Sequence, residues 1–197
     1  MAVSYTNRRG EVHYFKAVKT KKGAYRYYVV KKKEGDLLDA IPEQFEIYEH
    51  PEEAKVVIRK KIVRKINDDE ISAVRNAVQK LSVSDDFMIH TDGNILSVYT
   101  GRLHKKEFED MFSGIKTGDE IALIFNSLQT YIEKMRFVLT DENKRVFTVQ
   151  RFCYLGRIYD WIDLESSEDL AYLSEKYCCH LGRDSYFDLE PPEWKSI

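Results

Sequence analysis

Aromatic and β-branched residues crowd residues 11–19 and 24–32, separated by Thr20, Lys21, Lys22 and Gly23. Two such runs joined by a short, Gly-ended connection predict a β-hairpin. Glu34, Gly35 and Asp36 predict the next turn. Residues 37–50 read as an extended loop, because Pro42 has no ladder donor. Residues 54–63 then read as a third strand of a small antiparallel module. Asn67 and Glu70 have the spacing of a capping box, and Ile71, Val74, Val78 and Leu81 follow at helical intervals. Residues 87–91 and 95–99 flank Asp92, Gly93 and Asn94, a second hairpin signal. His104 to Ser113 reads as a helix with Phe108, Met111, Phe112 and Ile115 on one face. Residues 119–132 are apolar without a clean period, so helix and strand remain open there.

The last third alternates more regularly. Residues 133–140, 145–153 and 158–164 predict a three-stranded meander, and Ser166 to Asp169 predict the cap of a helix burying Leu170, Leu173 and Tyr177 before Gly182. The tail through Pro191, Pro192, Glu193 and Trp194 reads as extended. The fold class is therefore α+β: a basic three-stranded antiparallel β module over 1–66, then an α+β domain over 67–197 with an antiparallel meander and about three helices.

Charge sharpens this division. The chain has 197 residues and a formal net charge of -2. Residues 1–67 hold 16 Lys or Arg against 9 Asp or Glu, a net of +7, and the remainder carries -9. Residues 34–53 contain eight acids and no base. Such asymmetry points to a polyanionic partner or to self-association. No apolar run is long enough to cross a bilayer, the first ten residues lack the apolar stretch of a secretory signal, and three cysteines form no disulfide framework, so a cytoplasmic location without a membrane partner is expected.

With Lys19 placed opposite Ala24, alternation sorts the hairpin into two faces. Val12, Tyr14, Lys16, Val18, Tyr25, Tyr27 and Val29 form the expected packing face. His13, Phe15, Ala17, Lys19, Arg26, Tyr28, Val30 and Lys32 form the other, with Lys21 and Lys22 projecting from the turn. Cations neutralise phosphates, and rings stack on exposed bases. Lys19, Lys21, Lys22, Arg26, Tyr28 and Lys32 are thus the candidate contacts to DNA or RNA. The same lysines would also protect a sheet edge against aggregation, and the acidic stretch 34–53 could cover them.

Gly10, Tyr14 and Phe15, followed by Thr20, Lys21, Lys22, Gly23, Arg26, Tyr27 and Tyr28, resemble the arm-type DNA-binding module at the front of phage integrases. The resemblance spans residues 10–33 and implies a three-stranded sheet that contacts DNA. Together with the aromatic segment 152–162, this front also resembles a family of bacterial proteins to which no function is attached.

Catalytic chemistry is less well supported. His180, Arg183 and Tyr186 are similar to the set used by tyrosine recombinases, but the tyrosine lies too close in sequence. Cys178, Cys179 and His180 are consecutive and point in different directions, so a zinc site would need Cys153 and His90 to converge. Asp119, Glu120, Glu133 and Lys134 raise the alternative of a metal-dependent nuclease. No phosphate-cradling glycine loop is present. The sequence thus predicts a non-enzymatic nucleic-acid-associated accessory protein without a cofactor; the alternative is an interaction or structural protein, with a protein partner or a second copy as ligand.

Overall fold

The computed structural model describes residues 2–155, 158–192 and 194. Among them are four α-helices and ten β-strands in antiparallel sheets, an α+β fold. The chain divides into two compact units. One comprises Met1–Lys61 and Glu107–Thr130, the other Ile62–Lys106 and Tyr131–Ile197. No helix of the described residues is long and apolar enough to cross a membrane.

In the first unit, β1 (Ser4–Thr6), β2 (Val12–Lys19) and β3 (Tyr25–Val30) form a three-stranded sheet in that order. Its third strand is β1 and not residues 54–63. The latter supply β5 (Val56–Lys60), which pairs with β4 (Phe45–Glu49). The extended loop expected over 37–50 is corrected accordingly. Pro42 sits in the turn ahead of β4, accepting from the Phe45 amide at 2.8 Å, so its missing donor costs the ladder nothing.

The hairpin register also differs by one residue from expectation: Lys19 lies opposite Tyr25 and Tyr14 opposite Val30. The loop is closed by the Thr20 amide on the Ala24 carbonyl, and Gly23 takes a positive φ of 86°. Because side chains alternate with period two, this shift exchanges the faces of β2. His13 and Phe15 are buried, whereas Val12 and Val18 face solvent. Tyr27 packs on the packed side, its ring 4.7 Å from that of Phe45.

Two helices complete this unit's second segment. α2 (Lys105–Phe112) brings Phe108 against Phe112 and against Phe125 of α3 (Gly118–Leu128). A Thr117–Glu120 capping box settles the ambiguous run as helix. Met111 and Ile115, expected on the packed face, are 69% and 75% exposed. Phe108 takes up the contact with Phe125, Phe112 packs on Phe108, and Ile115 falls beyond the helix end.

The second unit is a five-stranded sheet of β6 (Phe87–Asp92), β7 (Ile95–Gly101), β8 (Tyr131–Asp141), β9 (Val146–Leu155) and β10 (Ile158–Ser167), ordered β10-β9-β8-β7-β6. Its core joins Leu96, Val98, Met135, Phe137, Phe147 and Val149 to Val74 and Val78 of α1 (Asp68–Leu81) and to Leu173 and Cys178 of α4 (Leu170–Cys178). The capping box of Asn67 and Glu70 is present. Glu70 also receives the Arg145 guanidinium, which ties the α1 start to the β8–β9 turn. Beyond α4, Gly182 adopts φ +81° and a short 3-10 helix (Asp184–Tyr186) buries Tyr186. The tail departs from the extended expectation. The Trp194 amide folds back onto the Pro191 carbonyl, and its ring packs against the core; Glu193 lies outside the described residues.

Candidate nucleic-acid interface

The tip of the β2–β3 hairpin gathers Lys19, Lys21, Lys22 and Arg26 within one open concavity, together with Tyr25 and Tyr28. Lys21 and Lys22 lie in the loop. Arg26 stands across from Val18, and Tyr28 stands across from Lys16, on the solvent side of the sheet. Lys19 is on the opposite side, paired with Tyr25, but at the strand end, where both are exposed. Tyr25 is 58% and Tyr28 47% exposed, which leaves their rings open to a ligand. Lys32 is exposed too but lies past the far end of β3. At about 3.3 Å per strand residue it sits roughly 20 Å along the chain from Arg26. The structure therefore brings five of the six sequence candidates together and leaves Lys32 apart. Val18, expected to pack, faces solvent through the one-residue register difference, and Tyr25, on the packed side, is exposed because it stands at the strand end.

Charge pairing distinguishes these cations from their neighbours. Among the described residues, none of Lys19, Lys21, Lys22, Arg26 and Lys32 forms an ion pair or side-chain hydrogen bond. Lys31, by contrast, meets Glu11 at 2.6 Å, and this bond together with that from Asn7 lowers the Glu11 pKa. Two acids of the stretch 34–53 pair elsewhere in the unit. Glu46 holds Arg59 at 2.7 Å, while Glu49 accepts from Tyr5 at 2.8 Å and pairs with Arg8. Burial and the Glu49 carboxylate push the Tyr5 phenol up to about 12. Among the described residues, no acid of the stretch forms an ion pair with the tip.

Several of the remaining chemical candidates have structural employment. The Tyr186 hydroxyl is buried and donates to the Lys134 carbonyl, and His180 Nδ1 is 2.8 Å from the Ser185 hydroxyl. Burial pushes the Tyr186 phenol up to about 12 and the Cys178 thiol to about 12. Glu120 caps α3, and Glu133 forms a two-pronged pair with Arg136 at 2.6 and 2.7 Å. Among the described residues no group of three or more His, Cys, Asp or Glu side chains is arranged to hold a metal ion. Comparison with protein families, curated proteins and solved structures finds no match.

Proposed function

We propose that this chain is a nucleic-acid-associated accessory protein that grips phosphate backbone with the tip of its β2–β3 hairpin. The observation that supports the reading is the cluster of exposed cations without ion-pair partners among the described residues, interleaved with the exposed rings of Tyr25 and Tyr28. Unpaired surface cations meet phosphates without first breaking an internal ion pair, and binding releases condensed counterions. The rings add stacking on unpaired bases, which favours single-stranded or locally opened targets. The integrase-arm resemblance over residues 10–33 agrees with a hairpin used this way.

Salt dependence tests the proposal. Four phosphate contacts from Lys19, Lys21, Lys22 and Arg26 correspond to a log–log slope of about -3.6 on duplex DNA, or roughly a 150-fold loss of affinity between about 50 and about 200 mM salt. Lys21→Ala, Lys22→Ala and Arg26→Ala combined should reduce the slope by about 2.7. Fluorescence anisotropy with labelled duplex and single-stranded DNA and RNA measures both. Absence of binding at low salt, or an unchanged slope in the triple variant, refutes the assignment. Salt-sensitive self-association without nucleic-acid binding, seen by light scattering, would favour the interaction-protein alternative.

A further inference from the structure

Within the second unit, the end of β7, β8 and the segment after α4 border a half-open cavity of about 280 Å³. Lys134 enters it from β8, with Nζ 5.7 Å from the centre of the Tyr186 ring. Its side chain is half-buried, and among the described residues its ammonium has neither a carboxylate nor a hydrogen-bond acceptor. Burial, then the nearby positive charge of Arg102, depress its pKa below the usual lysine value. Arg183 lines the same cavity, exposed and likewise without an ion pair among the described residues. His104 also lines it, with Nδ1 3.7 Å from an Asp85 oxygen. Among the described lining residues, Asp184 is the one carboxylate.

A partly desolvated ammonium without an acceptor is unfavourable, and a second cation beside it makes it more so. An anion in the cavity would relieve both. Lys and Arg are the side chains that bind phosphate, one as a point charge and the other as a planar fork. Tyr186 and Leu181 provide apolar walls for an organic group, and Asp184 offers an acceptor for a hydroxyl. The volume lies below the ~300–1,000 Å³ of drug-sized sites, so it suits a compact ester better than a nucleotide. We propose that this cavity binds a small hydroxylated phosphate ester, its phosphate held between Lys134 and Arg183.

Isothermal titration with glycerol phosphate, against sulfate at matched ionic strength, tests this on the full chain. Lys134→Met and Arg183→Ala should each weaken binding at least about tenfold, the loss of one charge-assisted contact. The hairpin triple variant should bind as the parent does. Arg183 is exposed, so its substitution reports on the cavity even where Lys134→Met perturbs folding. Equal binding by sulfate, equal affinity in parent and Arg183→Ala, or no heat at millimolar ester overturns the proposal. So does loss of binding in the hairpin variant alone, which would place the phosphate at the hairpin.

Discussion

Replacing Gly182 with alanine isolates a close approach that holds α4 and the following segment against the chain after α1. Gly182 has φ +81°, a region where an L side chain crowds its own carbonyl at about 1–2 kcal/mol. An added Cβ would also lie 2.9 Å from Val83 Cγ2 and 3.3 Å from the Ser84 amide nitrogen. The methyl can rotate or withdraw, but the backbone nitrogen cannot readily do so, which adds about 1 kcal/mol of overpacking. Gly182→Ala should therefore cost about 2–3 kcal/mol, and the melting point should fall by roughly 4–12 °C for a chain of this size. Urea unfolding followed by tryptophan fluorescence is the assay, since the two tryptophans, Trp161 and Trp194, both belong to the second unit. Val83→Ala removes only the methyl that can withdraw, so the double variant should recover little of the loss, the backbone conformation and the Ser84 nitrogen contact staying in place. A loss below about 0.5 kcal/mol in Gly182→Ala would refute both the strained conformation and the close contact.

Two further outcomes bear on the second unit. Arg151 is buried and donates to the carbonyls of Phe187 at 3.1 Å and Phe152 at 3.3 Å, as well as to that of Leu189. Arg151→Met should cost about 2–3 kcal/mol and speed tryptic cleavage after Arg183, because charged hydrogen bonds anchoring that segment are lost; an unchanged cleavage rate would count against the anchor. Glu165 accepts from Lys176, Tyr177 and Tyr172, and the Lys176 bond above all holds its pKa below the usual value of 4.5. Its folded pKa is the lower one, so its stabilisation is present above the unfolded carboxylate range and disappears as pH falls through the folded value. Glu165→Gln should flatten that acid limb in urea midpoints taken from neutral to acid pH, and an identical limb would dismiss the linkage.

Local signals were legible where a few neighbouring residues settle the structure. Asn67 and Glu70 specify their capping box without tertiary help, and Gly93 alone provides the positive φ of 61° in the β6–β7 turn. The meander of β8, β9 and β10 was readable from alternation and turn residues. The hairpin faces were not, because counting one loop residue too few reverses every inward position of β2. β1 is only three residues long and pairs through Ser4, Tyr5 and Thr6, a contact that no sequence period announces. The cationic tip was legible as composition. That Glu46 and Glu49 engage Arg59 and Arg8 rather than the tip is decided by tertiary geometry. Lys134 was legible only as a lysine beside Glu133 in a nuclease-like set; the cavity it enters, built by segments distant in sequence, has no signature along the chain.

The excursion of the chain between β7 and β8 imposes an order on synthesis. Residues 107–130 return to the unit begun by the hairpin, and they contribute two buried apolar side chains, Ile121 and Phe125. A nascent chain emerging from the ribosome has every lysine of the hairpin long before it has those two side chains. Domains generally mature as units during translation, so this one stays unfinished until residue 130 has left the exit tunnel. A truncated fragment ending at residue 61 would present the cations on an incompletely packed body, and affinities measured on it would describe a folding intermediate rather than the mature protein.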